Sequence, residues 1–191
     1  MDIQEFFADL PTLETERLIL RKVASEDAED MFAYASNPNV AEHVTWDPHQ
    51  NLNESMEIIN RILTRYKENG ISPWGIVLRS SNKFISTCGF FDWSSKHNRA
   101  EIAYAISETY WGQGYTTEAA RSVIDLGFNH GQLNRIEARC KIPNIGSARV
   151  MEKCGMTFEG ILRQHVSLKN QYHDMKLYSI LRHEWTMLKS R

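Results

Sequence analysis

The pair Gly112 and Gly114 is the part of the sequence whose residue type and spacing most clearly allow a chemical role. Both glycines follow an apolar segment and stand directly before an amphipathic segment that begins at Tyr115. Glycine lets the backbone adopt positive φ angles and approach an anion closely, and the first N–H groups of a helix have no intrahelical acceptor. We therefore expect this turn to bind a phosphate. A P-loop is disfavoured because no lysine follows Gly114, and a dinucleotide site because the third glycine and the downstream carboxylate are missing.

The residues around this turn, 110–120, resemble the GNAT superfamily of acyl-CoA-dependent N-acetyltransferases, and specifically its RimJ/RimL-like branch. The pyrophosphate loop of that family reads Arg/Gln-x-x-Gly-x-Gly/Ala, which falls on residues 111–116. Trp111 replaces the basic or amide residue, and Thr116 replaces the last small residue. Further similar segments follow the family order over nearly the whole chain, at 14–18, 99–104, 133–138, 144–156 and 177–181.

The resemblance implies a mixed α/β fold in which helices flank a central, mostly antiparallel twisted sheet, formed by one domain over residues 1–191. It also implies acetyl-CoA as the cosubstrate and no metal. Backbone amides of Gln113, Gly114, Thr116 and Thr117 are expected to bind acetyl-CoA, because contacts from backbone N–H groups tolerate the two departures in the loop.

Glu101 is the candidate general base, since acetyl transfer to an amine requires a neutral amine. An α-amino group has an ordinary pKa of about 8, against about 10.4 for lysine, so even a base acting through water is sufficient for it. Strand alternation places Glu101 on one face with Ala103 and Ala105, which leaves room for a substrate. The resemblance adds that GNAT enzymes often carry a catalytic glutamate on this strand. An equally weighted alternative is an exposed glutamate paired with Arg99 on the same face.

Ser147 and Asn144 are the candidates around the acetyl-CoA arm. Ser147 shares a helix face with Val150, Met151 and Cys154, so its hydroxyl is expected to point inward. The resemblance makes Ser147 the proton donor to the CoA thiolate and Asn144 a contact of the cosubstrate's amide arm. The alternatives are a first-turn serine that satisfies backbone groups and an asparagine that only caps the helix.

Several other side chains receive no assigned role. Some family members carry a catalytic carboxylate on the strand that corresponds to residues 164–167, but no Asp or Glu stands there. His165 is more readily explained as a surface residue of a hairpin. Cys140 and Cys154 have no nearby base in the sequence and are expected to pack. The sequence pattern does not show whether three aromatic residues line the acceptor pocket or belong to the core. They are Tyr34, Trp46 and Trp93.

The elements that position these residues are predicted from periodicity and turn signals. Residues 38–53, which contain Pro38 and Pro48 on either side of Trp46, have no clear period and are expected to border the acceptor. The predicted strands are 15–23, 74–78, 84–91, 100–106, 135–141 and the hairpin 158–168 with 172–181. The predicted helices are 25–36 with Ser25 as the N-cap, 53–69 with Asn53 as the N-cap, one after Gly114 that stops at Gly131, and 144–154.

Composition indicates an ordinary soluble globular protein. The chain has 191 residues, 42% of them hydrophobic and 24% charged, and a net charge of −2, which gives no indication of nucleic-acid binding. Its three cysteines have neither disulfide nor zinc spacing. The sequence shows no signal peptide and no membrane-spanning stretch, so we expect a cytoplasmic protein, monomeric or homodimeric.

Together these features predict an N-acetyltransferase that transfers acetyl directly to a primary amine in a ternary complex. The resemblance favours the N-terminal α-amino group of a protein, such as a ribosomal protein, as the acceptor. A free amino acid, a polyamine or an antibiotic amine is the first alternative, because relatives share the cosubstrate motif and differ in the acceptor pocket. A non-catalytic acyl-CoA sensor is the second, and the presence of Glu101 and Ser147 argues against it.

Overall fold

The computed structural model describes residues 3–190, which contain seven α-helices and eight strands. The helices are α1 (Ile3–Ala8), α2 (Ala28–Ala35), α3 (Pro38–Ala41), α4 (Leu52–Lys67), α5 (Tyr115–Asn129), α6 (Ile145–Lys153) and α7 (Arg182–Lys189). The strands are β1 (Leu13–Glu14), β2 (Leu18–Arg21), β3 (Trp74–Leu78), β4 (Phe84–Ser94), β5 (Arg99–Ile106), β6 (Arg135–Lys141), β7 (Thr157–Leu168) and β8 (Gln171–Leu181).

All eight strands form one sheet in the order β1-β2-β3-β4-β5-β6-β8-β7. Every neighbouring pair is antiparallel except β5 and β6. Strands β3, β4 and β5 form the expected meander, and α5 provides the crossover that a parallel pair requires. The predicted mixed α/β fold with a mostly antiparallel sheet is therefore confirmed.

Side-chain alternation gives the sheet two apolar faces. On one face, Phe90 and Ile102 pack in a core with Val123 of α5 and Met151 of α6. On the other face, α2 and α4 pack over the first half of the sheet, in a core that includes Val77, Phe84, Met31, Tyr34 and Ile59. The second half of that face holds charged side chains, among them Glu101, Glu137 and Arg139.

The parallel pair β5–β6 is short. Its register covers only Arg99–Arg135, Ala100–Ile136 and Glu101–Glu137, although β5 continues to Ile106 and β6 to Lys141. The two strands therefore diverge after Glu101. We call the opening between residues 102–106 and 138–141 the β5–β6 cleft. Backbone groups along its edges need other partners, because buried N–H and C=O groups are almost always paired.

Two predicted helix starts are wrong. Ser25 is not an N-cap, since residues Ser25–Asp27 form a 3₁₀ turn and α2 begins at Ala28. The Asp27 carboxylate accepts hydrogen bonds from the Ala24 N–H (2.8 Å) and from Arg21 (2.7 and 2.8 Å), which fixes this turn. Helix α4 is capped by Asn51, whose side chain accepts from the Glu54 N–H at 3.3 Å, and not by Asn53.

Helices α1, α3 and α7 do not appear in the sequence-based prediction. They contain six, four and eight residues, which is too few turns for a helical period to be recognised. Tertiary contacts stabilise α1, whose Phe6 and Phe7 pack against Trp93 with ring centroids 4.7 and 5.9 Å away. Short helices of this kind depend on packing more than on local propensity.

Candidate active site

The turn at Gly112 and Gly114 has the backbone geometry that anion binding requires. The two φ angles are +73° and +84°, and Gly114 is the N-cap of α5. A Cβ at Gly112 would meet no atom within 4 Å, and one at Gly114 only Arg17 Nη2 at 3.4 Å, so the space at the turn is open. Thr116 and Thr117 lie in the first turn of α5, where backbone N–H groups have no intrahelical acceptor and are suited to a ligand, and both residues are largely buried.

Arg17 fixes this turn, a role that the sequence did not reveal. Its Nη1 donates to the Gln113 carbonyl at 3.0 Å, and its guanidinium lies 4.4 Å from the centre of the Tyr115 ring. Arg17 also binds Glu118 of the first turn of α5, through its backbone N–H (2.9 Å) and Nε (2.7 Å). Burial alone would raise the pKa of Glu118, but hydrogen bonds from Thr15 and Arg17 hold that pKa below its usual value. The resemblance of residues 14–18 to the corresponding family segment was the sequence signal that could have indicated Arg17.

Glu101 lies where β5 and β6 begin to diverge. Its side chain is only 11% exposed and forms an ion pair with Arg139 of β6. Arg139 Nε donates to Oε1 at 2.9 Å and Nη2 donates to Oε2. The alternative prediction, in which Glu101 pairs with Arg99, is wrong, because Arg99 binds Glu137 (3.0 Å) and Asp92 (3.6 Å) instead. Each carboxylate oxygen of Glu101 keeps further acceptor capacity for a substrate or water.

His165 lies on the far side of the same guanidinium. Its Nε2 contacts Arg139 Nη1, so Glu101, Arg139 and His165 form a chain across β5, β6 and β7. Hydrogen bonding to Glu101, the largest cause, raises the pKa of Arg139, so the guanidinium stays charged and separates the imidazole from the carboxylate. His165 is thus next to the candidate base without a contact to it.

Ser147 and Asn144 lie together at the start of α6. Asn144 Oδ1 accepts from the Ser147 N–H at 3.0 Å, so Asn144 is the N-cap of this helix. The Ser147 hydroxyl is 3.1 Å from the Tyr104 hydroxyl, which also donates to the Ser147 carbonyl at 3.3 Å. Burial raises the pKa of Tyr104, so this phenol stays neutral. The Tyr104–Ser147 contact joins β5 to α6 beside the cleft.

The two catalytic candidates therefore border the same cleft from opposite faces of the sheet. Tyr104 belongs to the α5 side, where its neighbours Ile102 and Ile106 are part of the core, and it holds Ser147 on that side. Glu101 alternates with these residues and faces the side of α2 and α4. Glu101 and Ser147 therefore lie on opposite sides of the sheet beside the cleft.

Residues 37–42 cross the open end of the cleft, and we call them the strap. On the β5 side, Asn37 and Asn39 donate to the Glu108 carboxylate at 2.7 and 2.8 Å. On the other side, Lys141 of β6 donates to the Glu42 carbonyl at 2.8 Å, and Lys169 of the β7–β8 turn donates to the Ala41 carbonyl at 3.0 Å. Burial lowers the pKa of Lys141. The strap is thus held from both sides by side chains that have no recognisable sequence motif.

A cavity of about 70 Å³ lies behind the strap, between α2, α4 and β4. Tyr34, Trp46, His49 and Thr87 contribute to its wall, so residues 38–53 do border a cavity on the Glu101 face. Trp93 lies elsewhere, in the core of the other face, where its ring centroid is 5.1 Å from that of Phe90. Among the unassigned aromatic residues, Tyr34 and Trp46 therefore remain candidates.

Within the described residues, the cysteines form neither a disulfide nor, together with His, Asp or Glu, a metal-binding cluster. Cys88, Cys140 and Cys154 are buried and unlinked, and burial raises the pKa of each thiol. Within residues 3–190, no three His, Cys, Asp or Glu side chains are grouped closely enough to hold a metal. Over the same residues, no helix has both the length and the apolar character needed to span a bilayer.

Comparison with known proteins gives one consistent result. A family model described as an acetyltransferase (GNAT) domain matches residues 17–157. The uncharacterized N-acetyltransferase p20 of Bacillus licheniformis is 32% identical over 92% of this chain and 99% of its own length. The crystal structure of a GNAT-family acetyltransferase from Bacillus anthracis superposes with a TM-score of 0.81 at 27% identity, covering 91% of this chain and 99% of that one. A ribosomal-protein-serine acetyltransferase of Escherichia coli is 34% identical over 42% of this chain and 45% of its own.

Proposed function

Because the chain belongs to the GNAT acetyltransferase family and is an acetyl-CoA-dependent N-acetyltransferase, we propose that its acceptor is the N-terminal α-amino group of a protein. The observation that carries this proposal is the state of Glu101, which is held by Arg139 at the narrow end of the cleft. A carboxylate already engaged by a cation suits an amine that loses its proton readily. An α-amino group, with a pKa of about 8, meets that condition better than a lysine side chain near 10.4.

Acetyl-CoA fits the phosphate turn in charge and in space. The turn offers backbone N–H groups of Gln113, Gly114, Thr116 and Thr117 at the positive end of α5. Nothing within 4 Å of a Cβ at Gly112 obstructs a bulky diphosphate. Asn144 and the edge of β5 beyond Glu101, where the pairing with β6 ends, are suited to the amide arm of acetyl-CoA, except at Ile106, whose carbonyl accepts from Trp111 Nε1 at 3.0 Å. The cosubstrate supplies the thioester and the acceptor supplies the amine, while residues of this chain accept and donate the protons.

In the proposed reaction the amine nitrogen forms a bond to the acetyl carbon while the carbon–sulfur bond breaks. Glu101 accepts the proton that the amine loses, directly or through one water. Ser147 donates a proton to the sulfur on the other face and regains one from water, while Glu101 releases its proton to water. Tyr104 holds the Ser147 hydroxyl in place. The attack is direct, since each buried cysteine is held as a neutral thiol and is therefore a poor nucleophile.

The similarity to a ribosomal-protein-serine acetyltransferase supports a ribosomal type of acceptor. A ribosomal acceptor also places the enzyme's work in the cytoplasm. The similarity extends over less than half of either chain, so the acceptor needs a direct test.

The test is thiol release from acetyl-CoA with a panel of N-terminal peptides, free amino acids, polyamines and aminoglycosides, with acetyl-CoA binding measured in parallel by calorimetry. We expect turnover with peptides that carry a free α-amino group and none with the same peptides acetylated in advance. Turnover with a small amine alone would replace the proposed acceptor. Binding without turnover on any amine would favour the sensor alternative.

A further inference from the structure

The middle of strand β7 contains a bulge. The pairing with β8 shifts between Leu162 and Val166, so that residues 163–165 stand opposite the single residue Asp174. In a regular antiparallel ladder each residue has one residue opposite it. Extra residues of this kind bend a strand and change the direction of its side chains, and they are common next to active sites.

Gln164, at the centre of this bulge, has a strained backbone conformation. Its φ angle is +48°, which is uncommon for a residue other than glycine, asparagine or aspartate. Asp174 fixes this conformation, because its Oδ1 accepts a hydrogen bond from the Gln164 N–H at 2.7 Å. Strained positions persist only where neighbouring contacts hold them, and they are concentrated at functional sites. The side chain that follows, that of His165, is therefore a candidate for a function.

His165 lies at the far end of the ion pair that holds Glu101. Arg139 uses Nε and Nη2 for the two carboxylate oxygens of Glu101, and its Nη1 contacts His165 Nε2. Among the residues that the structure describes, Arg139 has no other hydrogen-bond partner. The orientation of the guanidinium toward Glu101 therefore depends on His165.

This contact also determines where the imidazole carries its proton. The Arg139 guanidinium is charged and has only hydrogen-bond donors. His165 Nε2 must therefore accept with its lone pair, and the ring is neutral with its proton on Nδ1. An imidazolium would instead place a second donor and a second positive charge against Arg139.

We propose that His165 is a positioning residue for the transfer reaction, and that its neutral imidazole holds Arg139 so that the guanidinium keeps the Glu101 carboxylate oriented for the amine. His165 itself takes no proton and does not contact Glu101. This inference rests on the role of Glu101 in the proposed function. It also gives the bulge at Gln164 a function, because a regular strand would direct the side chain of residue 165 differently.

The kinetic test measures kcat with the amine that the acceptor panel shows to be acetylated fastest. His165→Leu should lower kcat about fivefold to tenfold, which corresponds to one net hydrogen bond, while acetyl-CoA affinity stays the same. His165→Gln should keep most of the rate, because its Oε1 can accept from Arg139 in place of Nε2. His173→Leu removes the other imidazole of the hairpin and is the matched control, which should keep the wild-type rate.

A double variant separates positioning of Glu101 from general support of the fold. In a Glu101→Gln enzyme, adding His165→Leu should cause no further loss of kcat, because the two residues act through one network. A structural role for His165 would lower the rate by the same factor in both backgrounds.

The protonation of the imidazole provides a readout that is independent of activity. Nitrogen NMR at pH 8 should show His165 protonated on Nδ1 and unprotonated on Nε2. In Arg139→Met the ring should change to the Nε2–H form that predominates for a histidine in water.

Three results would each overturn the assignment and leave the proposed function intact. They are an Nε2–H ring in the wild type, equal rates or equal losses in His165→Leu and His165→Gln, and losses that multiply in the double variant. A wild type that acetylates no amine would instead overturn the proposed function, and an Nε2–H ring in that protein would overturn the contact as well.

Discussion

At the scale of single residues, the candidate site depends on hydrogen bonds that hold the two catalytic candidates, Glu101 and Ser147, in place. Arg139 engages both oxygens of Glu101 and leaves each with acceptor capacity. Tyr104 holds Ser147 through a hydrogen bond between the two hydroxyl groups. Neither partner was identified from the sequence, because contacts between residues more than thirty positions apart leave no periodic or local signal. The candidates themselves came from the resemblance and strand alternation, and their catalytic roles remain predictions.

Glu101→Gln should lower kcat/KM for a peptide acceptor about 100-fold at pH 7, a typical loss for a general base. The loss should be larger at lower pH and should shrink as the pH passes about 8, where the α-amino group is already neutral. The measurement is a pH–rate profile, with acetyl-CoA affinity by calorimetry as the check on binding. Glu137→Gln is the matched control, since this glutamate is the cross-strand neighbour of Glu101 but binds Arg99 and Arg135 instead of Arg139. A parallel profile for both variants would remove Glu101 as the base.

Ser147→Ala should lower the single-turnover rate about 10- to 100-fold, because the thiolate then leaves without a proton donor. An acetyl thioester of a more acidic thiol needs no proton on leaving, so it should restore most of the rate. Rapid mixing with excess enzyme measures this step separately from product release. An unchanged rate with acetyl-CoA would rule out the donor role.

At the scale of elements, the important feature is the early separation of β5 and β6. Three residue pairs hold the strands together, and the strap then crosses the open end. The sequence predicted both strands with nearly correct limits, since alternation and turn residues are local signals. The position of the strap was not predictable, because it depends on Glu108, Lys141 and Lys169, which approach residues 37–42 only in the folded chain.

Lys141→Met should loosen the strap, since the Glu42 carbonyl loses its donor. We expect faster amide hydrogen exchange in residues 37–47 and a KM for the acceptor raised about fivefold, corresponding to one hydrogen bond. Lys176→Met, on neighbouring β8, is the control. Unchanged exchange in the strap would show that this contact does not hold it.

The β7 edge is anchored through Glu159, which binds Arg135 (2.6 and 2.7 Å) and Ser179. These bonds, first that of Arg135, lower the pKa of Glu159 to about 2. A folded-state pKa below the unfolded one gives stability that is present above about pH 4.5 and is lost as the pH falls toward 2. The carboxylate is 36% exposed, so Glu159→Gln should cost only about 0.5 kcal/mol at pH 7. Urea unfolding should show that cost disappearing near pH 2, and an equal cost at both pH values would contradict the ion pair.

At the scale of the whole molecule, cosubstrate binding should appear as stability. A ligand at 100 times its Kd adds about 2.7 kcal/mol, which for a chain of this size raises Tm by about 5 to 10 °C. Thermal unfolding with increasing acetyl-CoA measures this. Gly114→Val should abolish the increase, because valine does not tolerate a φ of +84°, whereas Gly70→Ala should keep it. The same increase in both variants would place the cosubstrate elsewhere.

The position of Glu101 and Ser147 on opposite faces of the sheet also has a consequence for inhibitor design. With the roles proposed for Glu101 and Ser147, acceptor and cosubstrate reach the cleft from different sides, so a bisubstrate analogue that joins the CoA sulfur to a peptide N-terminus must pass through the sheet. Such a conjugate makes both sets of contacts while losing translational freedom only once. Its linker therefore has to match the thickness of one layer of strands.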